Sequence, residues 1–401
     1  MPITVDQNGA FEVDYLGNYT GLNVQQPQNI MPDTFSPAFD SVMLRNAALQ
    51  SRPAFVQEFA APDANPILGL ASFRDATSTF LGALTLNKGW HTVCWTVAGL
   101  YQLQPLASRT AGVNPWVFIS GANMVSGFPV NWGAFGNILY FTNGGNSLGS
   151  WNGIDATVVT NVANSTAGAV GFPSSNTGNL VHFGGFFLAE LDSHLLMANI
   201  VVTDAINSLS YPQRLWWSSS GIPNQWDPAA ANSNAGYNDF LDCPDNITGL
   251  ATVGIQGYLF REQGITQFSP SGIGLLPFTF DHLWASDHGV GNVYPWSIAQ
   301  YGPYLCFISI EQIYQIGINS FAPIGGMARD AILADLASAN GRPTANIVGD
   351  LILNYSNFGY LVSIPQTYGT RHYFFSLEDS RWERWTTTNH IQTSRESEVW
   401  I

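Results

Sequence analysis

Tyr211–Pro228 reads YPQRLWWSSSGIPNQWDP, and Ile247–Pro270 reads ITGLATVGIQGYLFREQGITQFSP. In the first run, Arg214-Leu215-Trp216-Trp217 is a short aromatic strand. A Ser-Ser-Ser-Gly turn and a third tryptophan, Trp226, follow it. In the second run, three short pieces, Ile247–Val253, Tyr258–Phe260 and Ile265–Phe268, are separated by Gly254-Ile255-Gln256-Gly257 and Arg261-Glu262-Gln263-Gly264. Short strands joined by glycine turns and anchored by aromatics are the pattern that a propeller blade leaves in sequence.

Weak echoes of this unit recur over Ile67–Leu103, Val125–Trp151, Trp296–Ile316 and Leu351–Trp385. A tetrapeptide with Gln in third place appears three times, as Leu100-Tyr101-Gln102-Leu103, Ile265-Thr266-Gln267-Phe268 and Ile313-Tyr314-Gln315-Ile316. We read it as an equivalent strand of three different blades. The spacing is irregular, so the repeat is degenerate. The expected fold is all-β: a β-propeller, with six blades preferred to seven. About 340 residues, at roughly 40 to 60 per blade, set that number.

Residues 1–62 read differently. Prolines at 27, 32, 37 and 53 exclude a long helix. The expectation is an extended N-terminal arm over 1–62 and a propeller over 63–401, with an N-terminal strand completing the last blade and covering its edge. The helix signal is Gly325–Gly341, GGMARDAILADLASANG, closed by Asn340-Gly341 and Pro343. It reads as one helix inserted between two blades. Asn161–Gly178 is a polar, low-complexity surface loop.

The composition narrows function. Only 10% of the 401 residues are charged, against roughly 25% in ordinary domains. Such a surface suits wide contact with other proteins, because few charges have to be desolvated. The net charge is −15 and Lys88 is the sole lysine, so the basic footprint of a nucleic-acid binder is missing. Cys94, Cys243 and Cys306 include no CxxC pair, and their odd number argues against a disulfide framework. The start, MPITVDQNG, shows no signal peptide. No apolar run approaches the length of a membrane span.

Candidate chemistry is sparse. Asp281-His282 and Asp287-His288 place two histidines and two carboxylates together, a donor set that suits a divalent metal, but the spacing matches no metal motif. Asp239, Asp242, Asp245 and Asn246 offer oxygen ligands of the kind calcium takes, without the EF-hand spacing. Both are read as loops. Ser218–Trp226 faintly resembles the sialidase Asp-box, but Ser220 stands where the aspartate belongs, Gly221 is one position early and Trp226 one late. Glycosidases need a carboxylate pair at a cleft. Glu190/Asp192 and Glu378/Asp379 are candidates, each indistinguishable in sequence from turn residues. The tryptophans at 90, 95, 132, 151, 216, 217, 226 and 296 read as packing between blades rather than as sugar platforms. GxSxG, HExxH and the phosphate loop do not occur. The expectation is a non-enzyme with no catalytic, metal or cofactor residues. The alternative is a carbohydrate-binding or glycosidase-type propeller.

Several runs resemble one family. They are Gly21-Leu22-Asn23, Pro27-x-Asn29-Ile30-x-Pro32-Asp33, Ser36-Pro37-Ala38 and Ser51-Arg52-Pro53 near the start. Further on come Arg214–Ser218, Gly221-Ile222-Pro223 with Trp226, Ile247-Thr248-Gly249-Leu250, Gly289-Val290, Trp296-Ser297-Ile298, Ile308-Ser309 and Ile313-Tyr314. Together they resemble the tail-hub or nozzle proteins of short-tailed bacteriophages, also called packaged-DNA stabilisation proteins. Two positions depart from the family pattern: Ala54 follows Arg52-Pro53 where a glycine is usual, and Ser219-Ser220 stand where an acidic residue is common. The resemblance implies a virion tail protein, a β-propeller in a homo-oligomeric ring of about six copies. That ring would sit below the portal and its adaptor protein and contact distal tail proteins such as a fibre, spike or needle. It would retain packaged DNA and let it pass at ejection without specific binding. An acidic lumen would repel phosphates and let the DNA slide.

Overall fold

Second strands decide the architecture. The computed structural model describes residues 60–75, 89–155, 180–350 and 357–387, apart from 106–107, 122–123, 205–207, 229, 243, 275, 285–289, 318–319 and 378–379, together with four short strands nearer the N-terminus. Those four are β1 Thr4–Val5, β2 Phe11–Glu12, β3 Val42–Arg45 and β4 Ala48–Ser51.

Six antiparallel sheets then follow one another along the chain. The first is β5 Gly69–Arg74, β6 Trp90–Thr96, β7 Gly99–Leu103 and β8 Trp116–Ser120. The second has three strands, β9 Asn131–Phe135, β10 Ile138–Thr142 and β11 Gly149–Trp151. The third is β12 Leu180–Leu191, β13 His194–Asp204, β14 Ser208–Trp217 and β15 Gly236–Asp239. The fourth is β16 Ile247–Val253, β17 Gln256–Arg261, β18 Ile265–Ile273 and β19 Leu276–Trp284. The fifth comprises the hairpins β20 Ala299–Tyr301 with β21 Tyr304–Ile308, and β22 Ile313–Gly317 with β23 Ser320–Pro323. The sixth is β24 Thr344–Asp350, β25 Asn357–Gln366, β26 Gly369–Ser376 and β27 Arg381–Thr387.

In every sheet the second strand carries a run buried on both faces: 93–96, 139–142, 195–198, 257–261, 305–308 and 359–365. Successive strand residues point to opposite faces, so a continuous apolar run requires cover on both sides. Among the first four sheets, stacking face to face supplies that cover. The fold is an all-β β-propeller, with one α-helix among the described residues.

The described residues form two compact units. One is drawn from 58–310. In it the first strands of successive sheets neighbour one another, β5 with β9, β9 with β12 and β12 with β16. Three cores lie between its sheets. Val93, Trp95, Leu139, Phe141 and Trp151 join the first sheet to the second. Phe135, Tyr140, Phe183, Leu195, Met197, Trp216 and Trp226 join the second to the third. Leu196, Ala198, Trp217, Leu250, Leu259 and Phe268 join the third to the fourth. The alternation is direct: Leu195 and Met197 enter one core, Leu196 and Ala198 the other.

The other unit holds 311–393 and the N-terminal strands. Its helix lies between β23 and β24, as expected, but is shorter than Gly325–Gly341. A 3-10 turn at Gly326–Ala328 precedes α1, Arg329–Ala337. Gly326 has a φ of +50°, which an α-helix does not admit, and the Ser338 hydroxyl donates to the Ala334 carbonyl at 3.1 Å at the exit. The expected completion of the last sheet by an N-terminal strand does not occur among the described residues. The fourth strand is β27, from within the last repeat, while β3 pairs with β4 and only comes near β27.

The tetrapeptides fall where the repeat reading put them. They lie in β7, β18 and β22, each the penultimate strand of its sheet and paired to the last.

Trp226 is fully buried in the core between the second and third sheets, its ring 5.3 Å from that of Phe183. Trp226→Ala removes that ring and should cost about 3–5 kcal/mol. Guanidinium unfolding of the intact chain checks this, and a loss below about 1 kcal/mol would contradict the packing.

Candidate functional site

The acidic run Asp239, Asp242 and Asp245 connects β15 to β16, the crossing from the third sheet to the fourth. Two arginines meet it. Arg214 on β14 makes a bidentate pair with Asp239, Nε to Oδ1 and Nη2 to Oδ2, both at 2.6 Å. Its guanidinium lies over the rings of Tyr211 at 4.0 Å and Tyr237 at 3.9 Å. Burial disfavours the Arg214 charge, but the Asp239 hydrogen bonds and charge outweigh it and push the pKa up. Arg261 ends β17 and is wholly buried. It donates to both carboxylate oxygens of Asp242 at 3.1 and 3.2 Å. Asp245 lies 3.9 Å from the same guanidinium and accepts the Gln263 N–H at 2.9 Å. Gln213 donates to the Asp245 carbonyl at 3.3 Å, and Asn199 to the Ile247 carbonyl at 3.0 Å. The donor set suited to calcium is therefore occupied by arginine. These carboxylates brace a joint between sheets.

The sequence reading missed both arginines as partners. The signal was available: in a chain with 13 Lys plus Arg, one sits in RLWW and one closes YLFR, both apolar strands. A guanidinium is rarely buried without a partner.

The other candidates are placed as follows. Asp281 is an exposed residue of β19, while Asp287 and His288 lie outside the described residues. Asp192 and Ser193 form the turn of the β12–β13 hairpin, with φ of 49° and 62°. Glu190 stands exposed beside it. Glu378 and Asp379 lie outside the described residues. In the stretch read as a distorted Asp-box, Trp216 donates to the Trp226 carbonyl at 3.0 Å and Trp226 to the Pro223 carbonyl at 2.9 Å. The Ser218 hydroxyl accepts the Leu195 N–H at 2.9 Å, and Asn234 accepts from Ser219 and the Ser220 N–H. That loop is a clasp closing over the third sheet. Trp95, Trp151, Trp216, Trp217 and Trp226 are buried, Trp132 and Trp296 are half-buried, and Trp90 is exposed. Burial pushes the Cys94 and Cys306 thiols up to about 12, so both behave as small apolar groups. Cys243 lies outside the described residues.

Two further polar groups escaped the sequence reading. His91 is held on both ring nitrogens, by Asp75 at 2.8 Å and the Gln102 amide at 2.7 Å, and it stacks on Phe73. Both ring nitrogens are thus engaged within the first sheet, which fixes the ring's orientation. Asp335 on α1 accepts from Arg371 and, at 2.6 Å, from Tyr373, and so docks the helix on β26. Burial and the Asp335 hydrogen bond push the Tyr373 pKa up.

No protein-family model and no curated protein matches the chain. Among solved structures, it is similar to the AfRom2 CNH domain at 12% identity, with a TM-score of 0.39, over 83% of this chain and 89% of that one. It is similar to the RRP9 WD40 repeats at 9% identity, with a TM-score of 0.36, over 81% and 87%. It is similar to the computationally designed Ika8 protein at 7% identity, with a TM-score of 0.34, over 80% and 83%.

Two measurements check the joints. Asp239→Ala leaves Arg214 without its charged acceptors and should destabilise the chain by about 1.5–3 kcal/mol, read by denaturation. An unchanged midpoint would contradict the pairing. Asp63 accepts from Thr96 and Tyr101 at 2.8 Å each. Burial opposes its charge, but these bonds and the Asn65 N–H outweigh it and lower the pKa from 3.8. A lowered folded pKa gives stability that is present above the unfolded value and lost as pH falls through the folded one. Asp63→Asn should therefore lose stability near neutrality, and the gap from wild type should close as pH drops below the carboxylate range. A gap that stays constant with pH would contradict the assignment.

Proposed function

We propose that this chain is a structural assembly protein of a short-tailed phage virion, a tail-hub or nozzle subunit. It would form a ring below the portal and adaptor, hold packaged DNA and conduct it at ejection. One observation carries the reading. Resemblance-bearing residues Arg214, Trp216, Trp217, Ser218, Trp226 and Ile247 are the ones that build the joint from the second sheet through the third to the fourth. What this chain shares with the family is thus scaffold, consistent with a role in bearing load and making contacts. The low charge content supports extensive subunit contact, and the net charge of −15 supports a conduit that does not hold DNA. Retention then falls to a plug or a narrow bore. At 0.15 M salt, repulsion reaches only about 8 Å, so it acts where DNA nearly touches the wall.

Sedimentation of the purified chain with a portal adaptor is the test. A single large complex with several copies of the chain is expected. A chain that stays monomeric and binds no tail component would contradict the proposal.

A further inference from the structure

Asn-Gly occurs four times in the chain. Asn8-Gly9 lies outside the described residues, and the other three pairs are placed very differently. At Asn143-Gly144 the side-chain amide is fully buried and locked. Its Nδ2 donates to the Val125 carbonyl at 2.9 Å, and its Oδ1 accepts the Val125 N–H at 3.4 Å. At Asn152-Gly153 the amide shapes a turn. Its Oδ1 accepts the Ile154 and Asp155 N–H groups at 3.0 and 2.9 Å, and its Nδ2 donates to the Asp155 carboxylate at 2.7 Å. In both places the asparagine side chain has a structural task.

Asn340-Gly341 is the exception. Asn340 is exposed, and its main chain alone is held: its N–H donates to the Pro365 carbonyl at 2.8 Å, tying the exit of α1 to β25. Its side-chain amide has no hydrogen-bond partner among the described residues, and neither has the Gly341 N–H. The fold nevertheless demands the glycine. Its φ of +143° is one that side chains avoid, and a Cβ there would meet Pro365 at 3.2 Å. The exit of α1 thus sets a free side-chain amide next to a main-chain nitrogen that no Cβ shields.

We propose that Asn340 is a self-modification site. The Gly341 nitrogen gives its proton to hydroxide and attacks Asn340 Cγ, closing a five-membered succinimide. The Cγ–Nδ2 bond breaks, and the amide nitrogen takes a proton from water and leaves as ammonia. Water then opens the ring. Opening at Cγ gives aspartate, and opening at the main-chain carbonyl gives isoaspartate, whose chain runs through Cβ and Cγ. The net change is amide plus water to carboxylate plus ammonium, with no oxidant or reductant. Either product adds one negative charge to the −15 of the chain. That charge stands just past the end of α1, where helix carbonyls already concentrate negative charge, and α1 has no basic residue in its last turn to offset it. The isoaspartate form also lengthens the main chain between the Pro365 tie and Gly341. The exit of α1 therefore loosens as the chain ages. This inference is independent of the tail reading.

The test ages full-length wild type and Asn340→Gln at neutral and mildly alkaline pH, and wild type unfolded in urea, and follows each Asn-Gly pair by peptide mass spectrometry. A locked amide reacts only after its hydrogen bonds open, so in the folded chain Asn340 should convert at least about tenfold faster than Asn143 and Asn152. In urea the three should convert alike. Ion exchange of aged wild type should resolve a more acidic peak carrying aspartate and isoaspartate at position 340. It should form faster at the alkaline pH, and Asn340→Gln should lack that product. Amide hydrogen exchange at the α1 exit should be faster in the acidic peak than in the parent. Equal conversion of the three pairs in the folded chain, or an intact amide at Asn340 while Asn152 converts, would overturn the site. Unchanged exchange in the acidic peak would overturn the loosening.

Discussion

A second strand buried on both faces cannot stand alone. It has no polar side to offer water, so each sheet requires a neighbour on either side, and the neighbours require theirs. The third sheet shows how little sequence this takes. Trp216 and Trp217 are adjacent, and strand geometry sends them to opposite faces. One lies in the core against the second sheet and the other in the core against the fourth. A single dipeptide thus ties three sheets together.

Polar chemistry follows from that stacking. Each passage of the chain from one sheet to the next carries backbone and carboxylates past a closed interior, and these must be satisfied there. Arg214 with Asp239, Arg261 with Asp242, and Asn199 with the Ile247 carbonyl do so at one crossing. Asn292 does so at the next, donating to Thr248 and accepting from Ser297. Asp239, Asp242 and Asp245, which looked in sequence like calcium ligands, are structural braces for this reason. Buried ion pairs contribute little net stability, since desolvation opposes the attraction, but removing one partner is costly.

Much of the fold was legible because its signals are local. Period-two burial in GLASFR, the continuous apolar runs in GYLF and YLCFI, and glycine turns between them name strands without reference to the rest of the chain. The tetrapeptides were readable as equivalent strands because the penultimate strand is half-buried in each sheet: Gln102, Gln267 and Gln315 face partly outward while their neighbours Leu100, Ile265 and Ile313 are buried. The joints were not legible. Arg261 and Asp242 are 19 positions apart, Asp335 and Tyr373 38, and nothing in spacing tells which carboxylate meets which donor. The helix end was misjudged because Ser338 bonds back to Ala334 before Asn340-Gly341 is reached.

The account joins a propeller scaffold, stacked through its tryptophans, to a role in assembly. Averaged electron micrographs of the particle in which the proposal places the chain test that most directly. The account predicts a ring of identical lobes below the portal, with a bore along the DNA axis and this chain located there by a bound antibody fragment. Antibody density elsewhere on the particle, or a single isolated lobe free of any ring, would contradict it.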